Sequence, residues 1–147
     1  MLLQKSAEIK IDLNAKDDTF GQTAFHFACE KGHEKIVEML MQKSSEFNID
    51  LNAKNRNGMT AFHLVCEKGH EKIAEMLMQK SAELNIELNV KDATWGMTAF
   101  HYVCVNGHSK IAEMIMQRSA EFNIDLNAKD RWGRTAFHLA CWRGHSK

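Results

Sequence analysis

The chain has 147 residues, of which 44% are hydrophobic and 26% charged, a composition typical of an ordinary folded domain with a sizeable core. Lysine plus arginine balances aspartate plus glutamate at 19 each, and the resulting net charge of zero argues against a nucleic-acid or anionic-membrane binder. No apolar run is long enough to span a bilayer, so we expect no membrane insertion, and no signal-peptide pattern opens the chain.

An internal repeat organises the chain. The tetrapeptide Thr-Ala-Phe-His begins at Thr23, Thr60, Thr98 and Thr135, at spacings of 37, 38 and 37 residues. All eight glycines, eight histidines and four cysteines fall at repeated positions, and the chain contains no proline. Glycine, asparagine and aspartate must therefore form the turns. A period of this length predicts a stack of similar supersecondary units.

The first element, residues 1–14, is out of phase with the repeat. Residues 1–6 (Met-Leu-Leu-Gln-Lys-Ser) match residues 39–44 (Met-Leu-Met-Gln-Lys-Ser), so we expect the chain to begin within the second helix of a unit. The full units that follow are expected at about 15–52, 53–89 and 90–127.

The second full unit shows the elements most clearly. Residues Asn55–Gly58 predict a turn, with the glycine in the left-handed region. Thr60 is a candidate N-cap for a short helix that starts at Ala61 and ends at Gly69. A second helix is expected from near Glu71. The apolar positions with helical spacing are Phe62, Leu64, Val65 and Cys66, then Ile73, Ala74, Met76, Leu77 and Leu84.

Helices this short do not persist alone in water, so each must bury its apolar stripe against the helices of the neighbouring units. Four stretches of the second unit carry a resemblance to the ankyrin-repeat family: Thr60–His63, Gly69-His70, Ile73–Leu77 and Leu88–Asp92. The same stretches recur along essentially the whole chain. The resemblance implies an all-α, ankyrin-type helical solenoid with projecting β-turn fingers, and a role in binding another protein.

The units differ from the family pattern in two respects. Alanine replaces the family proline at the start of each first helix, which removes a preorganised backbone angle. Each unit is also longer after its second helix, as in residues 42–47, and about four extra residues predict roughly 6 Å of added helix. Asparagine stands where that helix should end, followed by isoleucine, and Lys10 takes the asparagine position in the first unit. The alanines that replace the family proline are Ala24, Ala61, Ala99 and Ala136. The asparagines at the expected helix ends are Asn48, Asn85 and Asn123.

Residues 128–147 form the last element, a half-unit that stops after a first helix. We therefore predict one array over residues 1–147, with half-repeats at 1–14 and 128–147. Neither end carries the polar face of a capping repeat. This pattern favours a piece of a longer array, either a structural spacer or a segment that self-associates head to tail.

His26 and Cys29 have a spacing that places two metal-ligand types on one helix face, and it recurs at His63/Cys66, His101/Cys104 and His138/Cys141. The resemblance instead implies a structural hydrogen-bond network for the histidine and core packing for the cysteine. Since no closed tetrahedral ligand set is present, we expect no metal and no cofactor.

Catalysis is not expected either, because an enzyme has one constellation and not four equal copies, and no phosphate-binding loop or His-Glu-x-x-His motif occurs. The histidine after each inter-helix glycine is a candidate pH switch, but the resemblance implies a bridge between repeats. The cysteines recur once per unit, too far apart for disulfides, so reduced thiols favour an intracellular, cytoplasmic setting. The histidines that follow the inter-helix glycines are His33, His70, His108 and His145.

Positions that vary between units are the ones a partner can select. They lie at the turn tips and on the first-helix side that we expect to be exposed, which includes Leu64, Tyr102 and Leu139, and the resemblance implies that both sets line a concave groove. Aromatic residues and arginine are the usual interface anchors. Alternatively, Trp95 and Trp132 simply pack over adjacent turns. The predicted partner-binding residues are Phe20, Arg56, Trp95, Tyr102, Arg131, Trp132, Arg134, Trp142 and Arg143.

A modification is also implied by the resemblance. The acidic-Leu-Asn triplets look like sites that asparaginyl hydroxylases modify in ankyrin repeats, although the asparagine is in the first place a turn residue. The candidate hydroxylation sites are Asn14, Asn52, Asn89 and Asn127.

Overall fold

The structure is a computed structural model and describes residues 11–144. Within these residues the chain forms eight helices and no strand. They run in the order α1 (Ala24–Lys31), α2 (Glu34–Gln42), α3 (Ala61–Lys68), α4 (Glu71–Gln79), α5 (Ser81–Leu84), α6 (Ala99–Val105), α7 (Ser109–Phe122) and α8 (Ala136–Arg143). The opening half-repeat lies largely outside the described part, as do Lys10 and His145.

The helices form two layers. The first helices of successive units pack in the order α1, α3, α6 and α8, and the second helices α2, α4 and α7 form the other layer. Val37, Ile73 and Ile111 of the second helices are essentially without solvent exposure, as is Val65 of a first helix. One continuous apolar cluster runs through all units, and each such aliphatic side chain stabilises the stack by about 1.5–3 kcal/mol. The predicted all-α solenoid is confirmed.

Each first helix begins with the predicted threonine cap. The Thr60 hydroxyl accepts from the backbone N–H of His63 at 3.4 Å, and the Thr60 N–H donates back to Nδ1 of the same histidine at 3.0 Å. Histidine thus takes the place that glutamate or glutamine holds in the usual capping box. Gly69 ends α3 at φ 83°, in the left-handed region as predicted.

The extra residues add about one helical turn in two of the units, as expected, but a break separates that turn from the second helix. Helix α4 stops at Gln79, Lys80 leaves helical geometry at φ −94° and ψ 2°, and α5 is a separate single turn. The buried Ser81 hydroxyl donates to the carbonyl of Met78 at 2.7 Å, a side-chain bond that competes with helical pairing and bends the chain. Arg118 marks the equivalent break inside α7, at φ −116° and ψ 17°.

The asparagine caps are confirmed. Asn48, Asn85 and Asn123 are the non-glycine residues with positive φ in the described part, at 56°, 56° and 55°. Behind Asn85, the N–H of Ile86 donates to the carbonyl of Ser81 at 2.9 Å, and Ile86 is buried, as in a Schellman-type helix end.

The loops between units project as hairpin-like turns, here called fingers. In each finger a backbone N–H pairs with a carbonyl across the tip, as between Asn55 and Met59 at 3.0 Å. Neighbouring fingers are also joined, for example by the Arg56 N–H donating to the carbonyl of Phe20 at 2.9 Å. The row of fingers therefore forms a continuous edge beside the first helices.

Candidate functional site

Three histidines of the first helices, His26, His63 and His101, hold the units together and leave no nitrogen for a metal. The Nδ1 atom of His63 accepts from Thr60, so the proton is on Nε2, which donates to the carbonyl of Met97 in the next unit at 2.9 Å. His26 and His101 make the same bridge, to Met59 at 3.0 Å and to Arg134 at 2.9 Å. Burial lowers the pKa of all three histidines, in spite of these hydrogen bonds.

Two cysteines of the same helices, Cys29 and Cys66, are chemically quiet. None of the four cysteines forms a disulfide, and burial alone raises the pKa of Cys29 and Cys66, whereas Cys141 is exposed. A buried, protonated thiol is a poor nucleophile and a poor metal ligand. No group of three or more metal-binding side chains occurs in residues 11–144.

The histidines of the inter-helix loops bridge units, as the resemblance implied. His70 Nε2 donates to the carbonyl of Glu30 at 2.7 Å, and His108 Nε2 to that of Glu67 at 2.8 Å. The His70 ring also covers Gly32, where a Cβ would lie only 2.9 Å from the ring. These two residues are structural connectors.

The candidate hydroxylation sites form a third set of bridges. The Asn52 side chain donates to the carbonyl of Asn85 at 2.8 Å and accepts from the N–H of Glu87 at 2.9 Å. Asn14 and Asn89 make the same two bonds to the units that follow them. Asn127 has its N–H bound to the Asp125 carboxylate at 3.0 Å. The bridging asparagines are therefore engaged at both side-chain atoms.

The structure brings most of the predicted partner-binding residues together in one place. A cleft of about 560 Å³ opens between the last two fingers and helices α6 and α8, and we call it the aromatic cleft. It is lined by Trp95, Met97, Tyr102, Val105, Trp132, Arg134, Leu139, Trp142 and Arg143.

Three tryptophans form the walls of the aromatic cleft. Trp95 and Trp132, on adjacent fingers, have ring centroids 5.5 Å apart at an angle of 35°. They do pack on each other, as the alternative interpretation had it, yet they remain 46% and 54% exposed. Trp142 on α8 is 75% exposed. The contact between Trp95 and Trp132 on adjacent fingers therefore leaves much of their aromatic surface exposed to water.

Arg134 lies among these rings. Its guanidinium carbon is 4.9 Å from the Trp132 ring centroid and 6.0 Å from that of Trp142. Its Nε donates to Oδ2 of the buried Asp130 at 2.9 Å. Burial opposes the charge on Asp130, but hydrogen bonds from the Arg134 backbone and side chain outweigh it and lower the Asp130 pKa. The arginine is therefore held in place before any partner binds.

The sequence-based expectation of exposure is wrong for three residues. Tyr102 is 8% exposed, and its hydroxyl donates to the buried Asp92 carboxylate. Burial, together with that carboxylate, raises the Tyr102 pKa. Leu64 and Leu139 are also buried, in a second small apolar cluster with Tyr102. The helix side that carries them faces the fingers, which cover it, so these residues form a floor and not a contact surface.

The remaining predicted residues lie elsewhere or act within the fold. Phe20 is 57% exposed on the first finger, away from the aromatic cleft. Arg56 donates to the carbonyl of Thr19 at 2.9 Å, and Arg131 to that of Thr94 at 2.7 Å. Both arginines thus tie a finger to the one before it, and Arg131 also lies 5.5 Å from the Trp132 ring centroid.

Sequence reasoning missed the buried supports of the cleft. Asp92 accepts from the N–H groups of Trp95 and Met97 at 2.9 and 3.1 Å, and so shapes the finger that carries the first tryptophan. Asp130 does the same for the last finger. The usable signal was an aspartate at the start of a glycine turn.

A second cleft was also missed. It has a volume of about 550 Å³, lies between helices α2 and α4, and is lined partly by the inserted segments, including Ser45 and Glu83. Its walls carry Glu38 and Lys80 but no aromatic side chain.

The comparison with protein families agrees with this geometry. The family profile described as Ankyrin repeats (3 copies) matches residues 1–92 and again residues 84–147. The chain belongs to the ankyrin-repeat family, whose members generally act as protein–protein interaction modules. No curated protein shows a significant match to the chain. No helix in residues 11–144 has the length and apolar character needed to cross a membrane.

Proposed function

We propose that this chain binds a partner protein through the aromatic cleft. The observation that carries the proposal is the placement of all three tryptophans of the chain, 46%, 54% and 75% exposed, around one concavity. Large exposed aromatics clustered in a concave site are typical of interface hot spots.

The rigidity of the cleft supports the same function. Its fingers are held by hydrogen bonds to the buried Asp92 and Asp130, and Arg134 is fixed between two rings. A preorganised site loses little side-chain entropy on binding, so more of the contact energy appears as affinity. The exposed faces of the three tryptophans give a partner side chain an apolar surface to cover.

The test is an affinity capture from cell lysate, read by mass spectrometry. The bait is the unmodified chain beside a variant with Trp95→Ala, Trp132→Ala and Trp142→Ala. Phe20→Ala is the matched control, because Phe20 is an equally exposed finger aromatic outside the cleft. We expect a protein that the unmodified chain and the control retain and the triple variant loses. Capture that is equal for all three baits would contradict the proposal.

The competing function is a structural spacer or a head-to-tail self-associating segment. It predicts no captured protein and no effect of the tryptophan changes. Self-association would appear as a rising mass in a light-scattering concentration series, whereas a constant monomer mass would exclude it.

The same array is proposed as a substrate of asparaginyl hydroxylation at Asn14, Asn52, Asn89 and Asn127. The bridging bonds of the first three imply that a hydroxylase reaches them only when neighbouring units separate locally. Intact-mass analysis of the chain from cells that express such an enzyme checks this, since an unmodified mass would contradict it. Hydroxylation and reduced thiols both fit an intracellular, reducing compartment.

A further inference from the structure

The first pair of fingers can be compared with the last pair, which forms the aromatic cleft. The fingers of the array alternate between two kinds with a period of two units. Arg56 in the second finger reaches back to Thr19, and Arg131 in the fourth reaches back to Thr94 in the same way. Backbone bonds from the same two arginines to Phe20 and Trp95 repeat at 2.9 Å. The first pair of units therefore offers the same backbone with different side chains.

The side chains that differ change the chemistry of the groove. In the first pair, Gln22 donates to Glu30 at 3.3 Å and accepts from Asn55 at 3.1 Å, so this groove satisfies its own polar groups. Two units later, Met97 stands in place of Gln22 and Val105 in place of Glu30. The corresponding place is apolar, and covering the partly exposed Val105 gains free energy, whereas Met97 is already buried.

The charge of the groove changes as well. Trp142 occupies the position of Glu67, and Arg134 occupies the position of Met59. The aromatic cleft thus loses an acidic side chain and gains a cation, while Arg143 keeps the positive charge of Lys68. Its surface carries two arginines and no carboxylate among the lining residues.

Three carboxylates lie near the cleft residues. Asp130 is buried and bound to Arg134, and Asp92 is buried and bound to Tyr102. Glu67 adds to the effect of burial and of Asp92 that raises the Tyr102 pKa. No carboxylate of residues 11–144 forms an ion pair with Arg143, which is exposed at the rim. The charge that the lining residues themselves offer to a partner is therefore positive.

The arginine among the rings also excludes one class of ligand. Three tryptophans around a hollow suggest a cage for a quaternary ammonium or methylated lysine. Here the guanidinium of Arg134 already occupies the ring faces of Trp132 and Trp142. A second cation would be repelled at this distance.

We infer that the aromatic cleft binds an acidic peptide segment of the partner, one that carries a large apolar or aromatic side chain between its carboxylates. The inference rests on the proposed function and names the chemistry of its partner. The carboxylates pair with Arg134 and Arg143, and the apolar side chain covers Trp95 and Val105. Single-stranded nucleic acid is disfavoured, because its binding needs a basic track over several nucleotides and the chain has a net charge of zero.

Tryptophan emission gives a specific readout, since every tryptophan of the chain lies in the cleft. The full chain is titrated with a short synthetic peptide in which a central phenylalanine has glutamates on both sides. Matched peptides carry glutamine or lysine in place of glutamate, and a single-stranded oligothymidylate serves as the other polyanion. We expect an emission shift with the glutamate peptide that weakens with added salt, and little response to the other three probes.

Two single changes and one control locate the charge effect. Arg143→Ala is expected to weaken the glutamate peptide about fivefold, and Arg143→Glu about tenfold or more. Lys68→Ala is the control at the equivalent position of an earlier unit, outside the cleft, and should leave the affinity unchanged. Arg143 and Lys68 are both exposed, so the variants should fold, which circular dichroism verifies.

The outcomes separate this inference from the proposed function. Equal binding of the glutamine or lysine peptide, tighter binding of oligothymidylate, or an equal loss in Lys68→Ala overturns the acidic-peptide inference. So does the absence of any emission shift. In each case the proposed function still stands if the tryptophan variant loses a lysate partner, and it fails only if that capture is independent of the tryptophans.

Discussion

At the scale of single residues, the buried histidines carry the most chemical information. Each of His26, His63 and His101 accepts at Nδ1 and donates at Nε2, a pattern that only the neutral ring satisfies. Protonation would place a second N–H against the N–H of the capping threonine. The fold therefore depends on these residues staying uncharged, which is a condition set by pH.

The first prediction at this scale concerns acid stability. Burial lowers the pKa of the three histidines in the folded chain, whereas in the unfolded chain each has the ordinary value of about 6.5. Above that pH the rings are neutral in both states, and histidine protonation does not reduce the free energy of unfolding. As the pH falls below it, the unfolded chain binds protons first and the free energy of unfolding decreases, by at most about 1.4 kcal/mol per pH unit for each histidine, until the folded ring is protonated as well.

Urea denaturation at about pH 7.5 and about pH 5.5 measures this effect. His63→Gln is the informative variant, because glutamine can still accept from the Thr60 N–H but does not titrate. The variant should lose part of the pH dependence. A midpoint that is the same at both pH values in the unmodified chain would refute the prediction.

At the scale of the elements, the inserted segment ends on a backbone geometry that few residues tolerate. Asn85 closes α5 at φ 56° and ψ 40°, with its side chain exposed. In this region glycine is unstrained, asparagine is tolerated and a residue with an ordinary Cβ is disfavoured. The cap therefore decides where the segment turns back toward the next finger.

The prediction for this element is that two substitutions of Asn85 affect the free energy of unfolding differently. Asn85→Ala should lower the free energy of unfolding by about 1 kcal/mol, and Asn85→Gly should leave it equal or raise it slightly. The Asn85 carbonyl that Asn52 binds is a backbone group and remains in both variants. Thermal unfolding followed by circular dichroism compares the two, and a more stable alanine variant would show that the left-handed cap is not the limiting feature.

At the scale of the whole molecule, the units are connected by three parallel sets of bridges. They are the first-helix histidines, the loop histidines and the asparagines, and each runs from one unit to the next. Because a unit contacts only its neighbours, stability is a sum of unit and interface contributions. Cutting one interface in the middle should therefore affect cooperativity as well as stability.

Asn52→Ala tests this directly, since it removes both side-chain bonds across the central interface. We expect a loss of about 1–3 kcal/mol and a broader urea transition, because two hydrogen bonds of about 0.5–1.5 kcal/mol each are lost and the two halves separate more easily. Asn127→Ala is the matched control, because the Asn127 side chain is exposed and makes no hydrogen bond within residues 11–144. Equal losses in the two variants would show that the bridge contributes nothing to coupling.

The sequence by itself determined the repeat, the threonine caps, the turn glycines and the left-handed asparagines. All of these depend on backbone conformations and hydrogen bonds within a few residues, so a local pattern is sufficient to predict them. The same local view missed the break before the inserted helical turn, because the bend at Ser81 depends on how its hydroxyl is buried.

Only the tertiary structure decided which of the variable residues face a partner. Tyr102 and Trp142 both lie on first helices at varied positions, yet the first is buried under the fingers and the second is 75% exposed. Arg131 and Arg134 flank one tryptophan, but the former reaches back to the preceding finger and the latter lies between two rings. These outcomes depend on what the adjacent unit places opposite each side chain, and helical period carries no such information.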